Sequence, residues 1–273
     1  MPLRILQVSD LHTGSRDETR VEPALRALID ELAPQLVIAS GDLTHRGTAE
    51  QHDRAAAILR DLGPPVFAVP GNHDIPYTFP SRFLSPWAEF ERCWGTTEPV
   101  WSSDELYVVG LNSVRPWRHQ SGGLGAGALR RATGRLAEAP PAALRVAVLH
   151  HQLIGAPWRT RKKPVARRNE VLGTLVDAGA ELILSGHIHQ ATAATRHEFE
   201  VWSGDEDGAA VAVAPGLGQP RPRRRGEARG LLVHDIGETE LRVLTYVWRG
   251  DTWGLAATRL FPRRSVTPIE ASA

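Results

Sequence analysis

An α/β architecture with helices outside two central sheets is what this sequence predicts, and three observations carry the prediction. Residues 3–190 alternate short apolar runs with stretches of helical periodicity. After residue 190 the strand-like runs continue, separated by turns and without helical stretches. No apolar run approaches the roughly 18–20 uninterrupted residues of a membrane helix. A sheet with one apolar face must bury it, so a second sheet packed on the first, with helices outside both, satisfies the pattern.

Residues 3–8 (Leu-Arg-Ile-Leu-Gln-Val) have the length and branching of a buried strand, and 21–32 place Leu25, Leu28, Ile29 and Leu32 at helical spacing. The next strand is 35–39, a helix covers 48–62, and Val66–Val69 form a strand closed by Pro70 and Gly71. This is a parallel βαβαβ opening. Further strands are expected at 106–111, 145–149 and 181–184, with helices near 125–137 and 167–178 between them. The runs 208–214, 230–236, 240–248 and 254–261 read as an antiparallel sheet. Segments 138–143 and 215–228 read as loops. Residues 1–262 are expected to form one domain, and 263–273 a loosely ordered tail.

Composition narrows the class. With 42% hydrophobic and 23% charged residues the chain matches soluble globular proteins, so disordered and membrane classes fall away. The start is too short for a signal sequence, and a cytoplasmic protein without a membrane segment is expected. Cys93 is the one cysteine, which excludes an intrachain disulfide and a thiolate cluster, so any metal must use nitrogen and oxygen ligands. A formal net charge of +1 gives no general pull towards nucleic acid.

Ligands of parallel sheets gather beyond the carboxyl ends of the strands. At five such ends stand Asp10-Leu11-His12, Gly41-Asp42, Gly71-Asn72-His73-Asp74, His150-His151 and Gly186-His187-Ile188-His189. In extended backbone, residues two apart point the same way, so Asp10 with His12, and His187 with His189, are expected to converge. Only one of the successive residues His150 and His151 should face the same side. A lone Gly-Asp is usually a turn, and a lone His a satisfied polar residue. Five such groups in order need a common reason, because clustered buried polar groups are costly unless paired or metal-bound. The donor set suits two divalent or trivalent ions such as Mn, Fe or Zn.

These five motifs together resemble the calcineurin-like metallophosphoesterase superfamily, over residues 3–190. The resemblance implies a four-layer αββα sandwich with two mixed sheets, and a dinuclear centre. One metal would take Asp10, His12, Asp42 and His189, the other Asp42, Asn72, His150 and His187, with Asp42 as bridge. His150 is selected over His151 by motif alignment alone. His73 would face the leaving group as a general acid, with Asp74 orienting it. The implied reaction is hydrolysis of a phosphoester by a hydroxide generated at the metal pair. Within the superfamily, Gly-Asn-His-Asp and the His pair look most like the cyclic-nucleotide phosphodiesterase branch, so a small phosphodiester such as a 3',5'-cyclic nucleotide is the implied substrate. Gln152, Leu153 and Ile154 stand where that branch often has prolines, and His45 and Arg46 where it often has acidic or other polar residues. The competing functions are a nuclease of the same superfamily and a catalytically silent scaffold.

Three other features stand apart from the motifs. Tyr77, Phe79, Phe83, Trp87, Phe90, Trp94 and Trp101 read mostly as a satellite core under an insertion. Arg159, Arg161, Lys162, Lys163, Arg167 and Arg168, and Arg221, Arg223, Arg224 and Arg225, read as solvated surface. Trp117, Arg118 and His119 have no assigned role.

Overall fold

The computed structural model describes residues 3–16, 21–158, 160–195, 198, 209–219 and 228–263. Arg159, the run Arg221–Arg225 and the expected tail after Arg263 lie outside the described residues.

Two six-stranded sheets form the centre. The first runs β12 (Trp253–Pro262), β11 (Glu240–Trp248), β10 (Gly230–Ile236), β1 (Leu3–Val8), β2 (Leu36–Ala39), β3 (Val66–Ala68). The second runs β4 (Val100–Ser102), β5 (Leu106–Leu111), β6 (Leu144–Leu149), β7 (Leu182–Ser185), β9 (Ala210–Val213), β8 (Thr192–Thr195). The expected parallel opening is present, with β1, β2 and β3 joined through α1 (Glu22–Leu32) and α2 (Ala49–Arg60). A second parallel set, β5, β6 and β7, is joined through α5 (Ala126–Ala137) and α6 (Arg168–Asp177).

The strands after residue 190 do not make a sheet of their own, which corrects the reading of an antiparallel C-terminal sheet. β10 pairs antiparallel with β1, from Leu3 opposite Ile236 to Gln7 opposite Leu232, and so extends the first sheet. β8 and β9 complete the second sheet, where β9 runs parallel to β7. Both sheets are therefore mixed.

Periodicity places the layers. α1 turns Leu25, Leu28 and Ile29 inward, and its first turn carries Glu22 and an early proline, both suited to a helix start. α2 is capped by Thr48, whose side chain accepts from the Gln51 amide, and buries His52, Ala55, Ala56 and Leu59. Both pack on the outer face of the first sheet, over Leu6, Val8, Val37 and Ala39. α5 and α6 cover the outer face of the second sheet through Leu129, Leu136, Leu172 and Leu175. Between the sheets, Ile5, Leu36, Ile38 and Val243 face Val108, Val146, Leu182 and Leu184. The result is the four-layer αββα sandwich. Strands covered on both faces become almost wholly apolar, as Leu36–Ala39 and Leu182–Ser185 show with every residue buried and Ser185 alone polar. No helix among the described residues is long and apolar enough to cross a membrane.

The aromatic segment divides. After the short α3 (Ser81–Leu84), Phe90 and Trp94, on α4 (Ala88–Trp94), join the core under α1 and α2, and Trp101 packs against the inter-sheet core, so these three extend main cores where a satellite was expected. Tyr77, Phe79 and Phe83 are exposed and belong to no core.

One polar thread crosses the inter-sheet core. His234 of β10 lies 3.0 Å from Gln7 Oε1, and the Gln7 amide donates to the Ser185 carbonyl at 2.9 Å and to Ser40 Oγ at 3.1 Å. It ties both sheets together directly beneath the strand ends that carry the motifs.

Candidate metal centre

The loops after β1, β2, β3, β6 and β7 meet where the carboxyl edges of the two sheets adjoin. The Asp10 amide donates to the Gly41 carbonyl, the His12 amide to the Asp42 carbonyl, and the Gly186 amide to the His150 carbonyl. The sheets are joined at the site itself, because the His187 amide donates to Asp10 Oδ2 at 2.9 Å.

The expected extended alternation of Asp10 with His12 and of His187 with His189 is not how these side chains converge. All four, and Asp42 with them, have left-handed backbone, with φ of 53°, 50°, 73°, 58° and 52° for Asp10, His12, His187, His189 and Asp42. Such φ values are uncommon outside glycine, and Asp and His are among the residues that tolerate them best. Their concentration in one site marks backbone strain held by the surroundings. The motif glycines provide that confinement. A Cβ on Gly71 would lie 2.2 Å from the Asp42 amide nitrogen, and one on Gly186 would lie 1.8 Å from Ser9 Oγ.

Two groups of ligand-type atoms combine Asp with His, Asp10 with His12 and His189, and Asp42 with His150 and His187, and a third of imidazoles alone, His12 with His45 and His73, stands beside them; each is drawn within 4.8 Å. In the first, His12 Nε2 faces His189 Nε2 at 3.3 Å, and His189 Nε2 lies 3.0 Å from Asp10 Oδ1. In the second, His150 Nδ1 donates to the Ser40 carbonyl at 2.9 Å and His187 Nε2 to the Gln120 carbonyl at 3.1 Å. Those bonds direct the remaining nitrogens, His150 Nε2 and His187 Nδ1, to within 3.1 Å of each other. Asp42 Oδ2 lies 3.3 Å from His150 Nε2 and 3.9 Å from His12 Nε2, and so stands between the two groups.

The residues fit a pair of metal ions. Asp10 Oδ1, Asp42 Oδ2 and Asn72 Oδ1 are buried and accept no well-formed hydrogen bond among the described residues, although the His189 and His150 imidazoles stand within ion-pair distance of the two carboxylate oxygens. Three orphaned oxygens from three loops are costly unless a cation completes them. Electrostatics agree. Burial alone would raise the carboxyls, but His189 beside Asp10, and His150 and His73 beside Asp42, hold both well below the usual range. Burial pushes His12 and His187 well down, so both offer neutral, ligating imidazoles. For His150, burial is outweighed by the Asp42 and Asp10 carboxylates, which raise it to about 9.

His151 is buried but turned aside. Its Nδ1 pairs with Ser113 Oγ at 2.8 Å, and it stands in neither group. The role expected of Asp74 needs correction. Its carboxylate accepts from the amides of Gly71 and Thr44, both at 2.8 Å, and from Thr44 Oγ1. The His73 ring is positioned instead by the His45 carbonyl, which accepts from Nδ1 at 2.8 Å. Asp74 shapes the loop around Thr44, and His52 of α2 anchors that loop with a 3.0 Å contact to the Asp74 carbonyl.

Several residues escaped the sequence reading. Ser40 orients His150, and only its place before Gly41-Asp42 hinted at a role. The rings of His45 and His73 stack at 5.7 Å, which brings His45 to the edge of the site. Lys162, expected on a solvated surface, donates to the His187 carbonyl, while Arg161 and Lys163 point outward as expected.

Residues 3–191 match the family model described as calcineurin-like phosphoesterase. The chain belongs to this family. A probable cyclic nucleotide phosphodiesterase of Synechococcus sp. is 30% identical over 210 residues, covering 70% of this chain and 75% of the relative. One of Psychrobacter arcticus is 31% identical over 88 residues, covering 27% of this chain and 32% of the relative. Among solved structures, a dimetal phosphatase from Danio rerio aligns with TM-score 0.64 at 15% identity, covering 96% of this chain and 99% of that one. A purple acid phosphatase from yellow lupin seeds aligns with TM-score 0.71 at 12% identity, covering 96% and 54%. At such identities the structural likeness is one of fold. Family membership and the two groups of His and Asp side chains make the chain a metal-dependent phosphoester hydrolase.

Proposed function

We propose that this hydrolase is a dinuclear phosphodiesterase acting on small phosphodiesters, with 3',5'-cyclic nucleotides as the substrate class. The observation that carries the reading is Asp42 Oδ2, a buried carboxylate oxygen without a well-formed hydrogen bond, standing between two groups of imidazole nitrogens. Asp10, His12, Asp42 and His189 would hold one ion, and Asp42, Asn72, His150 and His187 the other. Bound there, the pair would supply Lewis acidity towards the phosphoryl oxygens and a hydroxide nucleophile near neutral pH.

The chain's own residues provide the rest. Ser40 and Gln120 fix the tautomers of His150 and His187 through their carbonyls. His73, with Nδ1 held by the His45 carbonyl, keeps Nε2 for a proton delivered to the departing oxygen. The substrate class rests on the sequence relatives, which are named as cyclic nucleotide phosphodiesterases. A panel of cyclic nucleotides, glycerophosphodiesters, phosphomonoesters and single-stranded DNA tests it. Cyclic nucleotides should have the highest kcat/KM; preference for a monoester or for DNA would replace this reading.

A further inference from the structure

We infer that the mouth of the site docks on a bilayer surface that carries anionic lipid. Nine large hydrophobic side chains are exposed among the described residues, and six of them, Tyr77, Phe79, Phe83, Leu84, Trp117 and Trp158, lie in three segments around the site. Scattered single exposures need no explanation, but a concentration beside a functional site does.

Direct contacts join the three segments into one rim. The Tyr77 ring lies 5.9 Å from His119. Arg82, buried at 3% exposure, donates to the carbonyls of Pro76, Pro116 and Arg118, and so pins the segment after β3 to the segment after β5. The Ala166 amide donates to the Gly122 carbonyl, and the Trp158 amide to Gln190 beside His189. A buried guanidinium with three backbone acceptors fixes the rim, so the aromatic exposure is built into the fold.

Charge selects the occupant. Segments 75–88, 106–137 and 140–169 contain no Asp or Glu, and Arg46, Arg118, Arg161 and Lys163 stand exposed in or beside them, while Arg167 pairs with Glu170 at 3.3 Å. Exposed aromatics with basic neighbours and few carboxylates suit the headgroup region of an anionic membrane, where rings enter the interface and cations meet lipid phosphates. A groove for single-stranded nucleic acid would space aromatic platforms along a basic track. Here four of the six apolar side chains are bunched within residues 77–84, and Leu84 has no π-face. The inference is independent of which phosphoester the site cleaves.

The test is co-sedimentation of the full chain with phosphatidylcholine vesicles, with and without phosphatidylglycerol. The wild type should sediment with the anionic vesicles, less so as salt is raised, and weakly with the neutral ones. Phe79→Ser/Leu84→Ser changes two side chains that are 79% and 77% exposed, and should weaken binding roughly tenfold or more while hydrolysis of a small soluble diester is retained. Arg161→Gln/Lys163→Gln should weaken binding to the anionic vesicles alone, which keeps the test decisive if the first variant misfolds. Absence of wild-type binding, or binding unchanged in the variants, overturns the inference. So does binding of a single-stranded oligonucleotide in place of vesicles, or self-association that the apolar variant abolishes.

Discussion

Asp10, His12, Asp42, His187 and His189 hold left-handed backbone in buried loops, whereas Tyr77, Phe79, Trp117 and Trp158, around the same site, are more than half exposed. On the floor almost nothing can change. A methyl group on Gly71 or Gly186 collides with a neighbouring loop, and ring orientation depends on carbonyls such as Ser40 and Gln120. The rim is fixed by the Arg82 guanidinium, which donates to three backbone carbonyls, and leaves its aromatic side chains to solvent. The contrast teaches that this fold separates a strained, over-determined chemical centre from a surface free to set what approaches it. Floor substitutions should therefore damage turnover or folding, and rim substitutions should spare the chemistry.

The largest effect belongs to Asp42→Ala, since one carboxylate oxygen serves both groups. Turnover should fall by roughly 10³-fold or more, equivalent to about 4 kcal/mol of transition-state stabilisation. Retention of near wild-type kcat/KM would break the contrast at its centre.

Beneath the floor, His234 is fully buried and its pKa is lowered to about 3 by burial. Between its ordinary value near 6.5 and about 3, the unfolded chain binds a proton that the native chain refuses, so stability falls as pH drops through this window. The loss is on the order of 5 kcal/mol by the acid end. His234→Gln keeps an N–H for Gln7 Oε1 and should flatten this limb. Chemical denaturation at pH 7 and pH 4 measures it, and an unchanged difference between the two pH values would remove His234 as the cause.

His73→Ala should slow diesters with poor alkoxide leaving groups by about 10²-fold, with both metals retained. Aryl esters, whose leaving groups depart without a proton, should suffer much less. Equal losses on both would exclude proton donation, and loss of one metal would make His73 a ligand.

The smallest effects divide the basic run. Lys162→Met should lower turnover or metal affinity by about 10-fold, because its ammonium holds the His187 carbonyl. Arg161→Gln/Lys163→Gln should change hydrolysis of a small diester by no more than about twofold, since exposed charges act weakly and are screened. Equal effects of both changes would erase the distinction between floor and rim within this segment.

Much of this was legible in the sequence, for identifiable reasons. The strands 3–8, 106–111, 230–236 and 240–248 have the bounds the sequence suggests, because their apolar or alternating runs give way to polar or turn residues at Ser9, Asn112, Gly237 and Arg249-Gly250. The site motifs were readable in part because three of the five loops carry a glycine that packing requires, Gly41, Gly71 and Gly186. Sheet membership was not readable: nothing in the pattern of 230–236 says that it pairs with β1, since an apolar strand does not encode its neighbour. The left-handed turns at Asp10 and His187, the burial of Arg82 and the inward turn of Lys162 depend on contacts made across the fold, where local sequence gives no signal. The orienting role of Asp74 was carried over from the family resemblance and does not hold locally, since its carboxylate reaches across to Thr44 and Gly71.

The most direct test of the central claim is metal stoichiometry by elemental analysis of the purified protein, measured beside Asp42→Ala and Asp10→Ala. Two ions per chain in the wild type, both weakened by Asp42→Ala and mainly one by Asp10→Ala, is the predicted result. A single ion per chain, or two ions fully retained in Asp42→Ala, would contradict a dinuclear centre bridged by Asp42.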